Sequence, residues 1–437
     1  MEKENILLGD CLEKLKEIPD NSVDSIITDP PYELWFMGKA WDKTWIAYNV
    51  EMWKQCLRVL KPGGHLLAFW GTRTYHRIAV AIEDAGFEVR DMIEWVYGSG
   101  FPKSLNIGKA VDKLQGNERE GVEHRFLDGS KPRKTAGHFT VSDNIPRDTK
   151  YTKGTSEWEG WGTALKPAHE PICMARKPIA EKTVAENCLK WGTGGINIDE
   201  SRVDVADNEK AHFEKEWDRE QSMSAELGGV AMNKGLKAIS LRDNVPAGRF
   251  PANIIHDNSE EVRECFPESK SSDAIRRNNQ SKNTGAENGA SCYGKYNDCD
   301  TAGYADSGNA SRFFKSIIYQ AKASKSERNK GCEGLEEKEY TMSSTPKRQF
   351  VDGVQQAVDF TTKTLTNKNN HPTVKPVALM EYLINMVSRE WQVILDPFAG
   401  SGTTWVAAKK LKRKFILIEK NKEYFEILKA RIKAVKI

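Results

Sequence analysis

The stretch SIITDPPYELWF, Ser25–Phe36, runs an apolar strand straight into an acid, two prolines and a tyrosine. VDSIITD has the character of a buried strand, and proline stops a strand because it has no N–H to give to the ladder. The Asp-Pro-Pro-Tyr corner fixes a carboxylate, two carbonyls with no competing N–H and a flat ring within four residues. On its own such a corner reads as a structural strand stop, and short motifs match by chance. Its surroundings decide whether it is more.

Around it the chain alternates strands and helices. NILLGD reads as a short strand and DCLEKLKEIP as a short helix; a helix follows in NVEMWKQCLRVLK, with apolar residues at helical spacing. Pro62-Gly63-Gly64 is expected to break that helix ahead of a strand in HLLAFWG. TYHRIAVAIEDAG then gives an amphipathic helix ending at Gly86, and VRDMIEWVYG another strand. The C-terminal segment resumes the pattern: VALMEYLINMVS helix, QVILDP buried strand, GTTWVAAKKLKR helix, FILIEKN strand and KEYFEILKARIKAV helix. Strands separated by helices imply a parallel sheet covered on both faces. The expected fold class is therefore α/β, one Rossmann-like sheet built from both ends of the chain around a large central insertion.

Between those ends, from about Gly100 to His371, the chain is polar and poor in periodicity. Asn278–Ser311 reads as a long polar loop or mobile segment. HEPICMARK reads as a strand that returns to the sheet, and GRFPANIIHD as another ordered piece. The expected organisation is a catalytic half at 1–100, a target-recognition insertion at 101–370 that partly rejoins the sheet, and a cofactor-binding half at 371–437.

The 437 residues are 39% hydrophobic, enough to bury a sizeable core. A net charge of +3 permits nucleic-acid binding without arguing for it. The eight cysteines form no CxxC pair or framework spacing, as in reduced thiols, so no metal site is expected. The start MEKENILLGD has no basic n-region or long apolar h-region, and no apolar run approaches the roughly 20 residues of a membrane span. A soluble, cytoplasmic protein with no membrane partner is the expectation.

A second corner, LDPFAGSGTT at Leu395–Thr404, runs a buried strand into Asp396, a Gly-rich turn and a helix opened by Thr403-Thr404. Gly400 and Gly402 permit backbone angles a Cβ forbids, and the helix start adds free N–H groups and the positive end of its dipole. There is no GxxxxGK[ST], and Thr-Thr-Trp after Gly402 breaks the dinucleotide pattern. Glu419 ends the next strand, placed as a ribose-binding acid is after a Gly turn. A Gly turn and such an acid without a pyrophosphate pattern suit an adenosyl cofactor with an amino-acid tail: S-adenosylmethionine.

Together, TDPPY and DPFAGSGTT resemble the motifs of the DNA amino-methyltransferases, which act on N6 of adenine or N4 of cytosine. HPTVKP, 371–376, is similar to the segment preceding the cofactor motif in that family. The order DPPY, long middle, cofactor loop is similar to the circularly permuted group called the β class. The resemblance covers about the first hundred and last seventy residues. KPAHEPICMARKP and WGTGGINIDESRV also resemble segments of stand-alone and phage-type members.

The resemblance implies an amine clamp. The exocyclic amine of adenine is a weak nucleophile because its lone pair is conjugated with the ring. Asp29 and the Pro30 carbonyl would hold its N–H bonds out of the ring plane, Pro31 would aim that carbonyl by keeping Pro30 extended, and Tyr32 would stack on a base extruded from the duplex. Asp29 would also take the released proton. In the cofactor site the resemblance places Asp396 at the methionine end and Phe398 near the adenine, within the loop Pro397, Ala399, Gly400, Ser401, Gly402 and Thr403. Asp10 matches the family acid at the cofactor adenine, and Thr373 and Lys375 fall near its carboxylate.

Double-stranded DNA is the implied substrate; a homodimer and a cognate restriction endonuclease are the partners such proteins commonly have, and a nucleoid-associated place in a bacterial or phage-infected cell goes with them. Ser usually stands at the position of Asp29 in permuted N4 enzymes, which favours adenine over cytosine. A DNA-binding regulator on an inactive scaffold is the competing class. Without the resemblance, Asp10 reads as a helix cap, His371 as a structural hydrogen-bonder, and AKASKSERNK from Ala321 as a solvated lysine-rich face. Trp35, Trp41 and Trp45 read as core cover or as a lining for the target-base entrance.

Overall fold

The computed structural model describes residues 5–33, 44–98, 100, 104–122, 151–205, 248–270, 307–317, 329–342, 348–351, 354–357, 363–371 and 373–434. The contacts divide the chain into two units. One comprises Met1–Asn197, Asn253–Ser259 and Ile317–Ile437, the other Ile198–Ala252 with Glu260–Ser316.

The first unit holds the main sheet. Its strands are β1 (Asn5–Leu8), β2 (Val23–Thr28), β3 (Leu60–Phe69), β4 (Glu88–Val96), β5 (His169–Arg176), β6 (Ile254–His256), β7 (Val393–Asp396) and β8 (Lys414–Glu419). Across this unit they run in the order β1-β8-β7-β2-β3-β5-β4-β6. All neighbours are parallel except β5, which is antiparallel to both β3 and β4. HEPICMARK thus does enter the sheet, deep within it. The first and last strands pair, Asn5 opposite Ile416 through Leu8 opposite Glu419.

Helices α1 (Cys11–Leu15), α2 (Val50–Val59), α3 (Tyr75–Asp84), α4 (Ile107–Gln115), α5 (Val184–Trp191), α6 (Val377–Val387), α7 (Thr403–Lys410) and α8 (Lys422–Ala434) belong to the same unit. Side chains alternate across a strand. Ile26, Leu66 and Ala68 accordingly pack with Trp53 of α2 and Ile78 of α3, while Ile27, Leu67 and Phe69 pack with Leu383 of α6, Trp405 of α7 and Leu428 of α8. Every residue of β2 is buried, which is why it reads as one continuous apolar run. Full burial of a Leu or Ile is worth roughly 1.5–3 kcal/mol, so Ile26→Ala costs about 2–5 kcal/mol once its cavity is included.

One boundary differs from the sequence expectation. Helix α2 stops at Val59 rather than at Pro62-Gly63-Gly64, and those three residues lie inside β3. Lys61 precedes a proline and is driven out of the helical region, so the chain turns extended from Leu60 onward. The β2–β3 register shifts there, between Val23 opposite Leu60 and Ser25 opposite His65.

Strands β7 and β2 lie side by side, Ile394 opposite Ser25 and Leu395 opposite Ile26. From this pair the succession runs outward in opposite directions, to β8 on one side and β3 on the other. That is the switch point of an open α/β sheet, beyond whose carboxyl ends ligands bind. Both corners, Asp29-Pro30-Pro31-Tyr32 and Asp396 to Thr404, leave the sheet at that place.

In the second unit, Glu268–Lys270 pairs antiparallel with Ser307–Asn309, and Val203 bridges Arg249. The guanidinium groups of Arg249 and Arg312 lie 4.9 Å and 4.4 Å from the Phe313 ring centroid. Most of the expected polar loop Asn278–Ser311 lies outside the described residues, as do Trp35, Trp41 and most of AKASKSERNK. The described end of that loop is a strand followed by a 3-10 turn at Ala310–Phe313. Among the described residues no helix is long and apolar enough to cross a membrane.

Candidate active site

The first corner begins where β2 ends. Lys375 Nζ, just ahead of α6, donates to Asp29 Oδ2 at 2.8 Å and to the Tyr32 hydroxyl at 3.1 Å. The same ammonium lies 3.2 Å from Glu170 Oε2, and the Tyr32 hydroxyl donates to that oxygen at 3.2 Å. Glu170 stands near the start of β5; because β5 is antiparallel, its start lies at the carboxyl ends of its neighbours. Burial alone would lower the Lys375 ammonium, but the carboxylates of Asp29 and Glu170 outweigh it and hold it above the usual lysine range. Burial, with the same two carboxylates, pushes the Tyr32 hydroxyl well up, so it stays protonated.

Aromatic packing fixes the tyrosine. Its ring centroid is 5.3 Å from that of Trp70, which is buried just past β3, and Trp70 Nε1 donates to Thr74 Oγ1 at 2.8 Å. Lys375 Nζ sits 5.4 Å from the Tyr32 centroid and 5.0 Å from that of Phe69. Pro30 is buried, and Pro31 and Tyr32 are half-buried. Among the described residues, Asp29 Oδ1 is buried with no hydrogen-bond partner. A buried acceptor costs about 1–3 kcal/mol when left unpaired, so this oxygen is set up to receive a donor.

The second corner is braced from within. Asp396 is buried, and its Oδ1 accepts from Thr28 Oγ1 at 2.7 Å and from Phe398 N at 3.1 Å. Its Oδ2 accepts from Thr404 Oγ1 at 2.6 Å. The carboxylate therefore ties β2, the Gly turn and α7 together, and burial pushes it up to about 6 against those hydrogen bonds. Glu419 Oε2 accepts from Gly400 N at 2.8 Å and Oε1 from Asn421 N at 2.6 Å; burial pushes this carboxyl up to about 7.

Gly400 and Gly402 are left-handed, at φ +53° and +78°. A Cβ on Gly400 would sit 2.7 Å from His371 Nε2, and one on Gly402 would sit 3.1 Å from Leu428 Cγ. Arg431, buried on α8, holds the turn from below, donating to the Ser401 carbonyl at 2.6 Å and to its Oγ at 3.1 Å. Pro397, Ala399, Ser401 and Thr403 are buried and Phe398 is half-buried. The result is a rigid backbone cradle with a helix start beneath it.

Asp10 caps α1, accepting from Leu12 N at 3.0 Å, and takes Lys420 Nζ at 2.9 Å from the end of β8. Burial works against ionisation of Asp10, but Lys420 and the cap hydrogen bond prevail and hold it below the ordinary range. Thr373 is exposed, and its carbonyl lies 2.8 Å from His371 Nδ1. The structure thus gathers Asp396 through Thr403 with Glu419 in one corner and Asp29 through Tyr32 with Lys375 in the other. Glu170, Thr28, Trp70, Arg431 and Lys420 join these networks without a place in the sequence reading, and Thr404 enters it only as a helix start. An acid opening the otherwise apolar run PICMA was the available signal for Glu170. Among the described residues no group of three His, Cys, Asp or Glu side chains could hold a metal ion.

The sequence model of the N6/N4 DNA methylase family matches residues 23–430. Over 90 residues the chain is 47% identical to the type II methyltransferase M2.LlaDCHI of Lactococcus lactis subsp. cremoris, covering 20% of this chain and 33% of that protein. Over 69 residues it is 49% identical to the type II methyltransferase M.HindIII of Haemophilus influenzae, covering 16% of this chain and 22% of that protein. The alignments therefore span a third or less of these curated relatives. The solved PvuII DNA methyltransferase (cytosine-N4-specific) aligns over 98% of this chain and 86% of its own at 13% identity, with a TM-score of 0.42.

Proposed function

This chain belongs to the N6/N4 DNA methylase family, and from that membership we propose that it methylates the N6 amine of adenine in duplex DNA. S-adenosylmethionine is the methyl donor, and when bound it supplies an electrophilic methyl group on a sulfonium. Two features support it: left-handed Gly400 and Gly402 let the turn pack tightly against His371 and Leu428, and Glu419 ends β8 as a ribose-binding acid would after a Gly turn. Gly400, Ser401, Gly402 and Thr403 would hold the amino-acid end, Glu419 the ribose, and Phe398 and Asp10 the adenine, with Thr373 beside the carboxylate. Asp396, Pro397 and Ala399 keep the turn in shape.

The observation that carries the reading is the unpaired Asp29 Oδ1 at the end of β2, beside the strand that carries the cradle. Asp29 Oδ1 accepts one N–H of the target amine and the Pro30 carbonyl the other, which frees the lone pair from the ring. Tyr32, backed by Trp70, stacks on the extruded base. The proton the amine sheds passes to Asp29. Position and orientation, rather than a strong base, supply most of the acceleration. An Asp rather than a Ser at position 29 supports adenine as the base.

Target recognition is proposed for the insertion at 101–370 outside the segments that return to the sheet, β5 and β6. DNA binding by this region is salt-sensitive on this reading, since phosphate contacts dominate such affinity. A homodimer and a cognate restriction endonuclease are the partners proposed with it, in the cytoplasm at the nucleoid. The test is transfer of labelled methyl groups to unmethylated genomic DNA, followed by nucleoside chromatography. Label in N6-methyladenine is expected. Label in N4-methylcytosine would overturn the base assignment, and no label with retained DNA binding would favour an inactive regulator.

A further inference from the structure

Lysine has three N–H donors, and the Lys375 ammonium meets three acceptors: Asp29 Oδ2 at 2.8 Å, the Tyr32 hydroxyl at 3.1 Å and Glu170 Oε2 at 3.2 Å. The Tyr32 hydroxyl passes its own hydrogen to the same Glu170 oxygen. The cluster is sheltered, with side-chain exposures of 10% for Lys375, 19% for Asp29 and 22% for Glu170. Aromatic rings of Tyr32 and Phe69 wall the ammonium. Within this cluster the one buried acceptor without a partner among the described residues is Asp29 Oδ1. A network that ties down Asp29 Oδ2 and leaves Oδ1 unpaired fixes the direction in which Oδ1 points.

We propose that Glu170 is a positioning residue for methyl transfer: it anchors Lys375 and the Tyr32 hydroxyl, and through Lys375 it locks Asp29 with Oδ1 as the open acceptor. The inference rests on the amine-clamp reading above. Two physical effects make the second carboxylate necessary. Geometrically, Lys375 has four rotatable bonds, and a second anchor holds its ammonium on Oδ2 rather than letting it wander across both oxygens of Asp29. Electrostatically, an ammonium paired with Asp29 alone would draw its whole charge onto that carboxylate and weaken it as an acceptor for the amine. Sharing the ammonium with Glu170 leaves the cluster with one net negative charge, so Asp29 remains a competent acceptor.

The experiment is a double-mutant cycle on the full chain with Glu170→Gln, Lys375→Met and the double variant. Single-turnover methyl transfer to unmethylated genomic DNA is read beside calorimetric titration with S-adenosylmethionine and thermal unfolding. Glu170→Gln is expected to slow transfer about 10²-fold, as small misplacements of reacting groups do, with cofactor affinity unchanged. The double variant is expected to be as fast as Lys375→Met alone to within about threefold, because Glu170 acts through the lysine. Tyr32→Phe, which keeps the ring and removes the hydroxyl, should also slow transfer and guards against poor folding of Glu170→Gln. Losses that multiply in the double variant, an equal loss of cofactor affinity, or a normal rate in Glu170→Gln would overturn the inference while the clamp stands. Absence of transfer by the wild type would instead overturn the clamp reading and this inference with it.

Discussion

Lys375 Nζ lies 2.8 Å from Asp29 Oδ2, although the two residues stand 346 positions apart. The segment ahead of α6 thus ends on the acid of the first corner. A second link, Thr28 Oγ1 to Asp396 Oδ1 at 2.7 Å, joins the strand that carries the clamp to the strand that carries the cradle. The two corners are held in one frame by the side chains that flank them.

The Thr28–Asp396 link has a measurable cost. Thr28→Val keeps the shape and removes a donor from a fully buried carboxylate. We expect a loss of about 1–3 kcal/mol in urea unfolding, because the acceptor cannot turn to water. A change below about 0.5 kcal/mol would show that Phe398 N and Thr404 Oγ1 satisfy Asp396 without Thr28.

Gly402→Ala places a Cβ at φ +78° and 3.1 Å from Leu428 Cγ. Left-handed backbone costs a non-glycine residue about 1–3 kcal/mol, so stability should fall by that order. S-adenosylmethionine affinity by calorimetry should fall as well, since the turn that would hold its amino-acid end must shift. Unchanged affinity in a destabilised variant would separate Gly402 from the cradle.

Glu419 gives the pH dependence a definite sign. Burial pushes its carboxyl from 4.5 up to about 7 in the folded protein. Between those values the folded chain binds a proton that the unfolded chain has lost. The contribution of this group is fully present below pH 4.5 and is lost as pH rises through about 7. Wild-type stability should therefore fall relative to Glu419→Gln as pH rises from about 5 to 8, by on the order of 3 kcal/mol. A difference that stays constant across that range would contradict the buried state of Glu419.

Tyr32→Ala removes the ring that Trp70 supports. Stacking on an aromatic is worth about 1–3 kcal/mol per base, so single-turnover methylation should slow while cofactor binding is kept. An equal loss of cofactor affinity would place Tyr32 in the other corner.

Much of this was legible in the sequence. VDSIITD and QVILDP read as buried strands because a strand covered on both faces leaves an unbroken apolar run, and both corners showed as strand ends. Other features depend on pairing between distant residues. HEPICMARK could be read as a strand, but its place between β3 and β4 follows from register alone, and that place makes Glu170 a neighbour of Lys375. The contacts of Lys375 were equally hidden. HPTVKP suggested a lysine near the cofactor's carboxylate, yet Lys375 ends on Asp29, Glu170 and Tyr32. Pro62-Gly63-Gly64 read as a helix stop because a proline's effect reaches back beyond itself, and the helix had already ended at Val59. Asp10 behaves as its local sequence suggests, capping α1, with an ion pair to Lys420 that no local pattern announces.

The most direct test of the clamp is single-molecule sequencing of DNA from cells that express the protein, beside cells that express Asp29→Ala. N6-methyladenine is expected at one repeated motif in the first and nowhere in the second. Methylation that persists in Asp29→Ala, or its absence from both, would contradict the clamp.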